Sequence, residues 1–396
     1  MSDLLPLRLR RRRPGLIRPT LERVEAAAAA LGHPERDLDC IRIAGTNGKG
    51  STAAMLAAIL SAHGLRAGLF TSPHLVHVEE RFQISATRIS SSELDALLAR
   101  LDSFPDLSFF ETLALAAMLW FASSGVDVAV LEVGLGGRWD ATRLAPARIA
   151  GLTNIGSDHA QWLGSTREKI AREKAAALAD ARVAILGPEI GPDLPPMLNI
   201  RAAVAAGDLV RITNVGTTEV TADWDDGPIG LSVPLAGRHQ VANLHLALAL
   251  ARAAERDGLI RTLDADAVRC GLAAVHWPGR LSKHTIRGRE VLLDGAHNLE
   301  AVQALVAHLE RSETRYNLLF SCLDDKPLEA MAERLRPVVG EIAVFPLDGP
   351  RAAPIDRIAA AFPGARPARS AREGLAMLPD PVLASGSLRV VGSLLQ

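Results

Sequence analysis

Aromatic side chains are scarce, at 4% of the 396 residues with a single tyrosine, which speaks against a β-sandwich core and for small aliphatic packing. Cysteine is also sparse. Cys40, Cys270 and Cys322 lie far apart without CxxC or CxxH spacing, so the sequence offers neither a disulfide framework nor a zinc site. Charge of one sign is missing too: 44 basic residues face 45 acidic ones. No global field therefore draws in nucleic acid or an anionic membrane, and a small-molecule substrate is expected. No run approaches the roughly 18 apolar residues of a membrane span. The basic start, Arg8 and Arg10 to Arg13, is followed by a charged stretch, Pro14 to Glu25, where an export signal needs an apolar core. The cluster reads as a solvated terminus of a cytoplasmic protein.

What is abundant is aliphatic: hydrophobic residues make up 48%, mostly Ala, Leu and Val. That composition suits helices packed on a buried sheet, and the length suits two or three domains. The run Ile41 to Ala44 enters Gly45-Thr46-Asn47-Gly48-Lys49-Gly50-Ser51-Thr52 and then an Ala/Leu-rich segment to Leu60, a strand, glycine loop and helix. Leu69 to Thr71, Val126 to Leu131, Ile149 to Ile155 and Val183 to Leu186 read as further buried strands, separated by helical patterns. Alternation of this kind predicts βαβ units and a doubly wound sheet. Between residues 188 and 237 Pro and Gly are frequent, and a small antiparallel β appendage is expected. Helices follow at Val241 to Asp257 and Asp264 to Ala273. After a break at Trp277-Pro278-Gly279-Arg280 a second, smaller α/β unit begins at Val291 to Asp294, with its last strands at Val382 to Ala384 and Arg389 to Val391.

The glycine loop carries the clearest chemistry. Gly45, Gly48 and Gly50 free backbone N–H groups to wrap phosphate oxygens, the helix N-terminus adds its dipole, Lys49 supplies a cation, and Ser51 or Thr52 can face a metal. Gly50 stands between Lys49 and Ser51, and Ile43 occupies the place of the first glycine of the common phosphate loop. Glu132 ends the most apolar strand, where ligands of open α/β sheets collect and where a carboxylate suits Mg²⁺. His159 reads equally as a ligand or as a hydrogen-bonding residue, and Lys174, within Arg172-Glu173-Lys174-Ala175, reads in isolation as a solvated charge. Asn243 can read an adenine edge and Arg280 can pair with phosphate, although both types also cap helices and cover surfaces. Phe109 and Phe110 suit either a core or a stacking platform.

The ordered set of segments goes further. The glycine loop with its inserted Gly50 is followed by Thr71-Ser72-Pro73-His74-Leu75, Leu131 to Arg138, Asp158-His159, Arg172 to Ala175, Gly237 to Gln240, Trp277 to Arg280, Asp294 to Asn298 and Ser385-Gly386-Ser387. Together, across nearly the whole chain, they resemble the folylpolyglutamate synthase/dihydrofolate synthase branch of the Mur ligases. The resemblance implies a P-loop doubly wound ATPase and folate-binding domain over 1–278, with the β appendage around 188–237, and a smaller Rossmann-like glutamate-ligase domain over 281–396. It implies ATP-dependent joining of L-glutamate to dihydropteroate or tetrahydrofolate through an acyl phosphate, in a monomer without nucleic-acid or membrane partners. ATP is then held by Gly48, Lys49, Gly50, Ser51, Thr52, Asn243, Arg280, Asp294 and His297. Magnesium falls to Ser72, Glu132 and His159, supported by a carbamylated Lys174. Phe109, Phe110, Glu111, Trp139, Asp140 and Ala141 line the folate site. Arg143 and Leu299 stand where such enzymes carry asparagine and proline, and Ile17-Arg18-Pro19 departs from their dihydropteroate-contacting stretch. Two other readings follow from the same residues. One is a Mur ligase of peptidoglycan synthesis. The other is a non-catalytic nucleotide-binding regulator, which is expected to have lost Lys49, Glu132 or Lys174.

Overall fold

The computed structural model describes residues 5–12, 19–158, 160–164, 166–191, 193–194, 198, 200, 202–216 and 218–396. His159, Arg13, Ile17 and Arg18 lie outside the described residues.

The glycine loop leaves strand β1 (Cys40–Ala44), whose five residues are all buried. β1 sits inside an eight-stranded sheet with β2 (Ala67–Phe70), β3 (Phe82–Ile84), β4 (Thr87–Arg88), β5 (Val128–Glu132), β6 (Ala147–Leu152), β7 (Val183–Leu186) and β8 (Ala203–Ala205), ordered β4-β3-β2-β5-β1-β6-β7-β8. From β2 to β8 the pairings are parallel, while β3 and β4 add an antiparallel edge. Because alternate strand residues face opposite ways, Ile41, Ile43, Val128 and Val130 pack with one helical layer, while Cys40, Ala129 and Leu131 pack with the other. The first layer holds helices α2 (Lys49–Ala62), α6 (His239–Arg256) and α7 (Ala265–Ala273). The second holds α1 (Glu22–Ala30), α3 (Ser91–Leu101) and α4 (Phe109–Ser123). Helix α5 (Arg167–Ala175) lies beside β6 and β7 in a third cluster. The region expected as a β appendage contains a three-stranded antiparallel sheet of β9 (Ile212–Val215), β10 (Glu219–Ala222) and β11 (Ile229–Ser232).

A six-stranded sheet follows, β12 (Ser282–Ile286), β13 (Arg289–Leu293), β14 (Asn317–Phe320), β15 (Ile342–Val344), β16 (Arg366–Pro367) and β17 (Val382–Ser385), in the order β12-β13-β17-β14-β15-β16 and antiparallel only at β12. Among its helices are α8 (Leu299–Leu309) and α9 (Leu388–Leu395). α9 occupies the segment expected as a strand at Arg389 to Val391. Leu388, Val391 and Leu394 are buried on one side, and the Ser387 hydroxyl accepts from the N–H of Arg389 as a helix cap, so helical spacing and a cap override the β-branched pair.

The basic start differs from the solvated terminus expected of it. Arg12 is buried and donates to the carbonyls of Leu101 (2.8 Å) and Leu107 (3.4 Å), while Arg8 pairs with Asp95 and Asp102. Arg12 thereby satisfies the Leu101 carbonyl left open at the end of α3. Among the described residues no helix is long and apolar enough to cross a membrane.

Candidate active site

The carboxyl ends of β1, β2, β5 and β6 lie along one edge of the large sheet, and the loops leaving them converge there. This is the crevice where an open α/β sheet gathers ligands. In the loop after β1, Gly48 has φ of 81°, and a Cβ on it would lie 2.0 Å from Oδ1 of Asn243. A side chain at Gly45 would lie 1.8 Å from the Thr153 hydroxyl. The loop after β6 secures this turn: Thr46 N–H donates to the Asn154 carbonyl (3.0 Å), Asn47 N–H to Asn154 Oδ1 (2.9 Å), and Thr153 Oγ1 to the Asn47 carbonyl (2.6 Å). Lys49 Nζ donates back to the Thr46 carbonyl at 3.0 Å. From α5, Lys174 reaches the Gly45 carbonyl at 2.9 Å, buried to 3% exposure. Burial first, and then the Lys49 charge, pull Lys174 down to about 7.

Arg42, a fully buried cation within β1, fixes the segment after α5 by pairing with Asp180 at 2.7 Å and donating to the Ala177 carbonyl at 2.7 Å. No periodicity in the sequence marks that role.

Glu132 closes β5 opposite Ile43. Its Oε2 accepts the Ser72 N–H at 2.8 Å. Burial pushes its carboxyl up, and Lys49, the Ser72 N–H, Arg280 and Arg81 oppose that shift. A Cβ on Gly50 would stand 3.3 Å from this carboxylate, so the inserted glycine brings the start of α2 against it. The neighbouring Ser51 hydroxyl is buried without a hydrogen-bond partner. Among the described residues no three His, Cys, Asp or Glu side chains form a ready metal cage. An orphaned hydroxyl and a buried carboxylate nevertheless fit a hard divalent cation that shares oxygens with a phosphate.

Residues of the second sheet's loops close over this edge. Asn47 and Asn298 exchange hydrogen bonds at 3.2 and 2.9 Å. Asp158 accepts from Lys326 Nζ at 2.6 Å and lies 3.4 Å from Nε2 of His297, and Glu300 accepts from the Ser157 N–H and hydroxyl at 2.8 and 2.6 Å. Asp294 accepts the N–H of Leu281, in the segment before β12 (3.0 Å), and that of Ala296, in its own loop (2.9 Å). Arg280 is half-buried, feels the charges of Asp294 and Glu132, and its Nη1 donates to the Gly279 carbonyl. Asn243 donates to Gln240 Oε1 at 2.8 Å beneath Gly48.

The expected folate residues divide. Phe110 packs against Gly134, with Phe70 5.9 Å away, and Phe109 lies under the Arg81 guanidinium at 5.5 Å. Glu111 instead caps α4 through Ser108 and pairs with Arg23 at 2.7 Å. Asp140 accepts from the N–H groups of Gly134, Leu135 and Thr142 and from the Thr142 hydroxyl, which shapes the loop after β5. Ala141 is buried and Trp139 is 48% exposed. Arg81 belongs with Phe109 and Glu132, but in sequence it reads as the end of a charged run, Glu79-Glu80-Arg81.

Comparison with known proteins finds relatives over most of the chain. The family model described as Mur ligase middle domain matches residues 43–186, and that described as Mur ligase, glutamate ligase domain matches 279–382. The chain is 36% identical over 379 residues to the dihydrofolate synthase/folylpolyglutamate synthase of Mycobacterium tuberculosis, covering 87% of this chain and 78% of that one. Escherichia coli FolC, solved in complex with DHPP and ADP, superposes with a TM-score of 0.86 at 31% identity, covering 98% of this chain and 95% of that one. The bifunctional enzyme of Yersinia pestis, solved with Mn, AMPPNP and L-glutamate bound, has a TM-score of 0.82 at 30% identity and covers 95% and 93%.

Proposed function

Because the chain belongs to the folylpolyglutamate synthase/dihydrofolate synthase family of Mur ligases, we propose that it joins L-glutamate to the carboxylate of dihydropteroate or tetrahydrofolate at the cost of ATP. The observation that carries this reading is the meeting of Lys49, Glu132, the Ser72 loop and the buried Lys174 around one glycine loop.

A carboxylate oxygen of the acceptor attacks the γ-phosphorus of ATP, and the bond to the β-phosphate oxygen breaks, giving an acyl phosphate and ADP. The amino group of glutamate then attacks the acyl carbon, inorganic phosphate leaves, and the nitrogen gives up a proton. Charge that grows on the γ-phosphoryl oxygens meets Lys49 and the N–H groups from Gly48 to Ser51. Asn243, Arg280, Asp294 and His297 position the nucleotide between two lobes, 1–278 and 281–396. Asn243 acts by supporting the loop beneath Gly48, and Asp294 by holding the crossing segment that carries Arg280. Ser51, Ser72 and Glu132, with His159, would hold magnesium, and Lys174 as a carbamate would support them from beside Gly45. Bound there, magnesium supplies positive charge to the phosphate oxygens. Phe109 and Phe110 offer a platform for the pterin ring, and Glu111, Trp139, Asp140 and Ala141 shape its surroundings. Closure of the lobes keeps water from the labile acyl phosphate. The enzyme acts as a cytoplasmic monomer.

The test is ADP release by the purified protein with Mg-ATP and L-glutamate, run with dihydropteroate and with tetrahydrofolate. Release that needs both glutamate and one of these acceptors supports the ligase. Release indifferent to both removes it, and the choice of acceptor separates the synthase from the polyglutamylase.

A further inference from the structure

Arg81 is a buried cation for which the mechanism above has no use. Its carbonyl accepts the Thr71 N–H at 3.1 Å, which ties it to the end of β2 beside Ser72. Its Nε–H donates to Nδ1 of His74 at 2.9 Å, the one hydrogen bond the guanidinium makes to a described residue. His74 offers Arg81 an imidazole nitrogen and no carboxylate. Neither of the two acidic neighbours whose charges reach Arg81 forms an ion pair with it among the described residues. Glu80 accepts the N–H groups of Leu75, Val76 and His77, and Glu132 accepts that of Ser72.

A buried charge without a paired carboxylate is costly, and proteins retain one mainly where an anion arrives. The free edge of a guanidinium is a planar fork that matches a carboxylate in two parallel hydrogen bonds. The position is also informative. The Arg81 guanidinium stands over the Phe109 ring and interacts electrostatically with Glu132. Arg81 thus stands between Phe109, on the side of the expected pterin platform, and Glu132, at the phosphate end of the site.

We propose that Arg81 receives the acceptor's carboxylate, holding its two oxygens in the guanidinium fork so that one of them faces the γ-phosphate. The assignment rests on the ligase reading and adds to it a residue that recognises the reacting group itself. It predicts that the site discriminates by the acceptor's carboxylate and that Arg81 is the source of that discrimination.

The experiment compares three ligands: dihydropteroate, its analogue in which the carboxyl is replaced by hydrogen, and Mg-AMPPNP. Each is titrated against wild type, Arg81→Gln and Arg81→Lys by tryptophan fluorescence. Wild type is expected to bind dihydropteroate on the order of 100-fold more tightly than the analogue. Arg81→Gln should bring dihydropteroate to the level of the analogue while leaving the analogue and Mg-AMPPNP unchanged, which also shows that the variant is folded. Arg81→Lys keeps the charge without the fork and should lose roughly ten-fold, for dihydropteroate alone; this arm decides if the glutamine variant does not fold. In turnover, KM for dihydropteroate should rise while KM for ATP stays put. Equal weakening of dihydropteroate and analogue, or weakening confined to the nucleotide, overturns the assignment while the ligase stands. Failure of wild type to bind either pterin overturns the assignment, and the ligase reading falls with it only if glutamate-dependent ADP release with tetrahydrofolate is absent as well.

Discussion

Lys174 shows how much a residue's role depends on its surroundings. Taken in isolation Arg172-Glu173-Lys174-Ala175 is a solvated charge run, and only the ordered set of family segments singles Lys174 out. Folding buries its amine against the Gly45 carbonyl, beside Lys49, and draws it from the usual 10.5 to about 7. A neutral amine is what adds CO₂, so the site is suited to a carbamate near neutral pH. Lys174→Ala is expected to lower turnover by roughly a hundred-fold or more, with part of the activity returned by a small carboxylate additive; an unchanged rate in steady-state assays would remove the carbamate from the mechanism. The same shift has a consequence for stability. Between about pH 7 and 10.5 the unfolded chain keeps a proton on this lysine that the folded chain has released. Stability in CO₂-free buffer therefore rises with pH across that window, by at most about 5 kcal/mol. Lys174→Met should flatten the rise in denaturant titrations, and an identical slope in both proteins would contradict the burial argument.

Among the elements, the long ones were legible and the short ones were not. β1, α2 and β5 announce themselves through apolar runs and a glycine loop, because a buried parallel strand and a phosphate turn each impose a narrow choice of residues. The antiparallel β3 and β4, of three and two residues, carry too little pattern to be read. α9 reads as a strand in sequence because a short apolar run fits strand and helix alike; the signal for a helix is Ser387 as its cap. That helix also has a task. A Cβ on Gly392 would lie 2.0 Å from the Leu75 carbonyl, so α9 meets the loop that carries Ser72 backbone to backbone. Gly392→Val must push the two apart, at a cost of about 1–3 kcal/mol. Turnover is expected to fall at least about ten-fold while the far-ultraviolet circular dichroism spectrum is retained. Wild-type turnover in that variant would show that the contact does not set the position of the Ser72 loop.

For the whole molecule, α/β alternation gave the architecture, and the residue pairs that bring the two sheets together came only with the structure. Asn47 and Asn298 are 251 positions apart, and Asp158 and Lys326 are 168 apart. Each reads as an ordinary polar loop residue until the fold places them together, as does Arg81, whose neighbours Phe109 and Glu132 come from two other elements. The candidate site is thus half legible. The phosphate loop, Glu132 and the ordered family segments are visible in the chain, whereas Glu111 and Asp140 prove to hold loops and helix ends, and Lys326 and Arg81 emerge from tertiary contact. The central claim is that this arrangement activates a carboxylate by phosphorylation and passes it to glutamate. The most direct measurement uses dihydropteroate labelled with ¹⁸O in its carboxylate, incubated with the protein, Mg-ATP and L-glutamate, with both products analysed by mass spectrometry. The account predicts a product heavier by one glutamyl residue and inorganic phosphate carrying one ¹⁸O atom for each amide formed. Unlabelled phosphate, or ADP released without a glutamylated product, would contradict it.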